Sequence, residues 1–144
     1  MSAVDDVNEL IEQFDQAQGE LVKGNAEPVQ KHFSHQEYVT LNNPFGPPAH
    51  GWDEVAATVE RAASQFRDGE IVGFENLAKY VTPELAYIVE VERSQTKVGG
   101  GEDLSPIALR VTTLFRPEEG TWKVVHRHAD PITTPRPAES MLQN

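Results

Sequence analysis

Apolar residues along the first part of the chain (Val7, Leu10, Ile11, Phe14, Ala17, Leu21 and Val22) recur at the spacing of one helix face. They predict an amphipathic helix over Asp5–Lys23. Ser2 followed by Asp5 resembles a capping box, and Gly24 suits the residue just past the helix end. Asn25 is placed to cap a short helix, Ala26–His32, with Pro28 in its first turn. Glu37–Leu41 reads as a short strand, and Asn42–His50, with three prolines and a glycine, as a loop. The helical period returns over Gly51–Asp68 with Trp52, Val55, Ala56, Val59, Ala63 and Phe66, and Gly69 ends it. From there the pattern alternates. Strands are predicted over Glu70–Thr82, Leu85–Thr96, Leu104–Arg116 and Thr121–Ile132. A turn at Pro83–Glu84, a glycine-rich connection at Lys97–Asp103 and a hairpin at Pro117–Gly120 join them. Helices first and meandering strands last predict an α+β domain, a strongly curved antiparallel sheet wrapped around the helices. Residues 1–132 form this single domain, without repeats or linkers, and residues 133–144 an extended or disordered tail.

Composition narrows the chemistry. The chain has 144 residues and no cysteine, which excludes disulfides, thiolate metal sites and cysteine nucleophiles. It shows neither a signal segment nor a run long enough to cross a bilayer, so a cytoplasmic protein is expected. A net charge of −11 and a pI near 4.8 repel phosphate backbones and anionic lipids. No nucleic-acid or membrane partner is therefore expected.

The last two strands read Arg110-Val-Thr-Thr-Leu-Phe-Arg116 and Gly120-Thr-Trp122-Lys-Val-Val-His126-Arg-His128. With the element order, they make the chain resemble the nuclear transport factor 2 (NTF2)-like superfamily, a cone-shaped α+β roll of cystatin-like type. Within it the SnoaL-like and ketosteroid isomerase-like small proteins are the most similar in style. The association domain of calmodulin-dependent kinase II ends in a similar Gly-x-Trp-x-x-Val-His-x-His run. The likeness spans Val4 to Pro131. It implies a concave sheet face that holds the helices and a pocket, and a convex face that often forms a dimer. It does not fix the function, because this fold hosts isomerases, dehydratases, cyclases, hydrolases and assembly modules.

Side chains alternate across a strand. Ile88 and Glu90 share one side of their strand, Arg110, Thr112 and Leu114 one side of the next. Trp122, Val124, His126, His128 and Asp130 share one side of the last. Setting these sides on the concave face gives a pocket whose polar end holds Glu90, Arg110, Thr112, His126 and His128. Tyr87, Val89, Val91, Val111, Phe115 and Val125 are then left for a dimer contact. The opposite assignment puts the ionic set into that contact or into solvent.

His126 and His128, about 7 Å apart along the strand, suit proton transfer near neutral pH, one as base and one as donor to an oxyanion. The alternative is one hydrogen-bonded core histidine and one at the rim. Glu90 among apolar walls would have a raised pKa and could take a proton from carbon next to a carbonyl. Arg110 would bind an anionic group or form a structural ion pair with Glu90. Asp130 either orients His128 or makes a turn before Pro131. Trp52 is a pocket wall or a core aromatic, and Tyr38 and His50 are lid or pocket residues. Arg127 points the other way, to solvent or an interface. A His-x-His pair can hold a metal with Glu90 or Asp130, but a third ligand is not evident, so neither metal nor cofactor is expected. No Tyr precedes Tyr38, and Phe14 and Gln18 stand where one would be wanted. The Tyr–Asp oxyanion hole of ketosteroid isomerase therefore has no counterpart.

The expected function is cofactor-free acid–base chemistry, an isomerisation, dehydration or cyclisation of a carbonyl compound. It would occur in a homodimer whose pocket takes a small, largely apolar molecule. The alternative is a non-catalytic ligand-binding or oligomeric assembly module.

Overall fold

Ser2 starts the first helix as its sequence predicts: its Oγ accepts the Asp5 N–H at 3.2 Å. The computed structural model describes residues 2–143. Helix α1 spans Ala3–Leu21 and buries Val7, Leu10, Phe14 and Ala17. Gly24 follows at φ +102°, a conformation that needs glycine. Helix α2 (Glu27–His32) begins at Ala26 without a side-chain cap, so Asn25 does not have the capping role expected of it. Strands β1 (Thr40–Asn42) and β2 (Ala49–His50) flank the proline-rich loop, and helix α3 spans Trp52–Ser64.

Helix α3 stops short of the predicted Asp68 because Phe66 already belongs to a strand. That strand, β3 (Phe66–Val81), pairs with β4 (Ala86–Val98). Gly69 lets the two approach the end of α1. A Cβ there would lie 2.3 Å from the Val22 carbonyl oxygen, which instead accepts the Gly69 N–H at 3.0 Å and the Thr96 hydroxyl at 2.9 Å. Strands β5 (Ser105–Glu118) and β6 (Thr121–Asp130) complete the sheet, and a single 3-10 turn, Ala138–Met141, lies in the tail.

The sheet order is β2-β1-β6-β5-β4-β3. It is mixed rather than wholly antiparallel, because β1 runs parallel to β6. The helices pack on one face, where Phe14, Phe33, Val39, Val55, Ile88, Phe115 and Val124 form the core. The two-residue β2, inside a loop with three prolines, was not expected.

The decisive local feature is a bulge in β6. Leu114 pairs with His126, but the next residue, Phe115, pairs with Val124, so Val125 is an extra residue in the ladder. Val124 and Val125 are both buried. One inserted residue flips every side chain beyond it. No helix among the described residues is long and apolar enough to cross a membrane.

Candidate functional site

Directly paired residues of neighbouring strands share a sheet face. Glu90 pairs with Val111, Ile88 with Thr113, and these in turn with Ala129 and Arg127. Glu90 is buried on the helix side, as its alternation predicted, and it carries Val111, Thr113 and Phe115 to that side with it. Beyond the bulge, β6 then turns Arg127 and Ala129 inward.

Between the sheet and the helices lies a cavity of about 280 Å³. Its walls are mainly apolar, with Leu21, Val29, Phe33, Leu41, Val59 and Leu109 among them. Pro44 and Phe45 of the proline-rich loop form part of the enclosure. Its polar lining includes Gln18, Glu92, Ser94 and Arg127. Arg127 Nη2 donates to Glu92 Oε1 at 3.0 Å, with both side chains almost wholly buried. The guanidinium also lies 5.6 Å from the Phe14 ring centre, a cation–π contact.

Two further carboxyls belong to this buried group. Asp15 stands one helical turn before Gln18. Burial pushes its pKa up to about 7, with Arg127 opposing the rise and Glu92 adding to it. Glu90 precedes Glu92 on the same face of β4. Burial chiefly, then the Asp15 charge, raises it to about 7 against the pull of Arg127. A carboxyl that keeps its proton near neutral pH can both give and take one. Thr113 Oγ1, on the same face, is a buried polar atom without a hydrogen-bond partner.

The structure separates Glu90 from most of the residues expected beside it. Arg110, Thr112, His126, His128 and Asp130 lie on the opposite, convex face of the sheet. For β5 the reason is register: Arg110 and Thr112 alternate with the inward Val111 and Thr113. For β6 it is the bulge, which breaks the alternation running from Trp122 and Val124 to the histidines. Val111, Phe115 and Val125, expected on the convex face, are correspondingly buried. Arg127, expected outside, is the cation of the interior.

On the convex face the expected link between Asp130 and His128 does form. His128 Nε2 lies 2.8 Å from Asp130 Oδ2, and Arg110 Nε donates to Asp130 Oδ1 at 2.7 Å. A Glu90–Arg110 pair does not form. Burial alone would raise the Asp130 carboxyl, but hydrogen bonds from Arg110, the Ile132 N–H and His128 hold it at about 2. His126 Nδ1 lies 2.7 Å from Thr40 Oγ1. Burial, and then the neighbouring His128, lower its pKa.

The remaining expected pocket residues lie away from the cavity. Trp52 packs against the core and stacks on His35 at 3.7 Å. Tyr38 is exposed, hydrogen-bonds Glu118 and sits under Arg116. His50 is exposed on β2, its backbone N–H held by Glu54. Among the described residues no group of three or more His, Asp or Glu is placed to hold a metal ion.

Asp15, Gln18, Glu92 and Arg127 were missed as site residues. Glu92 carried a usable signal, since it shares Glu90's side of β4 and two buried carboxylates call for a cation. Asp15 had none, being one acid on the edge of an amphipathic stripe.

The SnoaL-like domain family model matches residues 7–133. An NTF2-like superfamily protein from Salmonella enterica serovar Typhimurium superposes with a TM-score of 0.75 at 13% identity, covering 94% of each chain. A candidate dehydratase of the NTF2-like family from Streptomyces avermitilis gives 0.73 at 17% identity, over 92% of this chain and 98% of that one. A ketosteroid isomerase-like protein from Erwinia carotovora atroseptica gives 0.73 at 15% identity, over 90% and 96%. At these identities the likeness is one of fold. No curated protein is significantly similar to the chain in sequence.

Proposed function

The chain belongs to the SnoaL-like domain family, and from that premise we propose that it takes a small, largely apolar molecule into the cavity beneath its sheet. There it would perform cofactor-free acid–base chemistry on a carbonyl group, an isomerisation, dehydration or cyclisation. One observation carries this reading: Glu92 and Arg127 line the cavity, and Asp15 and Glu90, two carboxyls with pKa values near 7, are electrostatically coupled to that pair behind the lining. In the proposed cycle a carboxylate of this group removes a proton from carbon next to the carbonyl. An Arg127 N–H donates to the oxygen as enolate charge develops there. The proton then returns to carbon at another position, which balances an isomerisation.

The test works with generic ketones in place of the natural substrate. Small apolar ketones incubated with the protein in deuterated water should gain deuterium at that carbon. Glu90→Gln should slow the gain by roughly 100-fold or more with the fold intact. Ketones that bind yet gain no deuterium would sink the catalytic reading.

The non-catalytic assembly reading would then lead, and one feature favours it: no helix among the described residues covers the convex face. Tyr80, Tyr87, Leu114, His126 and Thr40 form one row across that face, with Tyr80 and Tyr87 exposed. In either reading we propose a cytoplasmic homodimer joined there. Tyr87→Asp should shift the sedimentation mass from dimer to monomer. A wild-type monomer at micromolar concentration would refute the dimer.

A further inference from the structure

Charge becomes unbalanced beside the cavity as pH rises through about 7. Asp15 on α1 and Glu90 on β4, which stand behind the lining, then ionise next to a single guanidinium, Arg127 on β6, that is already paired with the lining Glu92. The other nearby cations do not redress this. Lys79 on β3 is held by Asn8 at 2.7 Å, toward the start of α1, and His32 on α2 packs edge-on against Phe14.

A second observation points into the same space. Gln18 is 2% exposed and Ser94 3% exposed, and both line the cavity. Neither side chain has a hydrogen-bond partner among the described residues. Unlike Thr113 Oγ1, their polar atoms are not sealed from all contact but open onto the cavity, where a bound molecule can meet them. Gln18 Oε1, Ser94 Oγ and the Glu92 carboxylate thus offer three acceptors, and an alkylammonium has three donors.

We propose that the molecule this cavity takes carries a protonated nitrogen: an amine on a small apolar body, its ammonium against Gln18, Ser94 and Glu92. The apolar walls hold the body, and the ammonium charge offsets Asp15 and Glu90. Once Asp15 and Glu90 ionise above about pH 7, an anionic ligand meets net repulsion at the same place. The inference rests on the cavity being a small-molecule site, and it adds the charge class of the molecule.

It also fixes the pH behaviour. An alkylammonium, with a pKa of about 10, stays charged through neutrality. Asp15 and Glu90 hold protons up to about pH 7. Binding a cation beside them expels protons, so affinity rises as pH rises through neutrality.

The experiment is calorimetric titration of the wild-type protein with phenylpropylamine, phenylpropanol and phenylpropionate. It is run at about pH 6 and about pH 8, in two buffers of different ionisation enthalpy, to count released protons. The amine should bind about tenfold tighter than the alcohol at the higher pH. Its affinity should rise about tenfold between the two pH values, with proton release, and Glu90→Gln should flatten that rise. Phenylpropionate should bind most weakly. Alcohol or phenylpropionate binding as tightly as the amine would overturn the charge class and leave the cavity as a small-molecule site. No binding of any of the three at millimolar concentration would overturn the cavity reading itself, and the inference with it.

Discussion

Arg127→Met is expected to destabilise the fold by roughly 3–5 kcal/mol at neutral pH, the usual cost of removing one partner of a buried ion pair. Arg127 and Glu92 are 7% and 4% exposed, so water cannot take over the missing contact. The variant leaves Glu92 beside Asp15 and Glu90 with no cation among them, and proton uptake by these acids offsets part of the loss at low pH. Methionine keeps most of the arginine stem volume, so the loss reports charge more than packing. The double variant Arg127→Met with Glu92→Leu should recover much of the stability, because a packed apolar pair can replace a buried ionic one. Chemical denaturation of the three proteins measures this. A single variant within about 0.5 kcal/mol of wild type would mean the pair is open to solvent.

The second large effect is on pH. Asp15 and Glu90 titrate at about 7 in the folded chain, against ordinary values of 3.8 and 4.5. Between those limits the folded state binds more protons than the unfolded one. Stability should therefore fall as pH rises from about 4 to about 7, and level off above. Asp15 is partly exposed, which screens its share. Glu90→Gln removes the charge but keeps the shape. It should stabilise the protein by roughly 1–2 kcal/mol near pH 8 and by almost nothing near pH 5. Thermal melts at the two pH values decide it. An equal effect at both would place the Glu90 pKa within the ordinary carboxylate range.

The helices and the four long strands were legible because each rests on a local period. The apolar stripe of α1 and the alternation of β4 are set without reference to distant residues. Glu90 could be placed inside for the same reason. Register could not be read this way. Whether Arg110 or Val111 lies beside Glu90 depends on how β4 and β5 slide against each other, and both choices alternate equally well. The adjacent Val124 and Val125 were the visible trace of the bulge, yet two valines in a row also fit an unbroken strand with one apolar residue on each face. The interior acid on α1 was illegible for another reason. Asp15 enters the site through the packing of α1 against the sheet, which leaves no mark on the helix's own pattern. The short β2 was hidden by its prolines, since a two-residue bridge needs only one backbone pairing and no strand-like composition.

The bulge in β6 also bears on how such a domain can change over evolutionary time. Loss of the single codon for Val125 would restore an even ladder. The pairing would not change: His126 and His128 would stay opposite Leu114 and Thr112 on the outer face, and Arg127 opposite Thr113 on the inner one. One in-frame deletion would thus alter the alternation along the sequence and leave the arginine–carboxylate interior in place. In a family built on this sheet, a residue's ladder partner tells its side where its place in the sequence does not. Relatives aligned without a gap at the bulge would then match side chains that face opposite sides of the same strand.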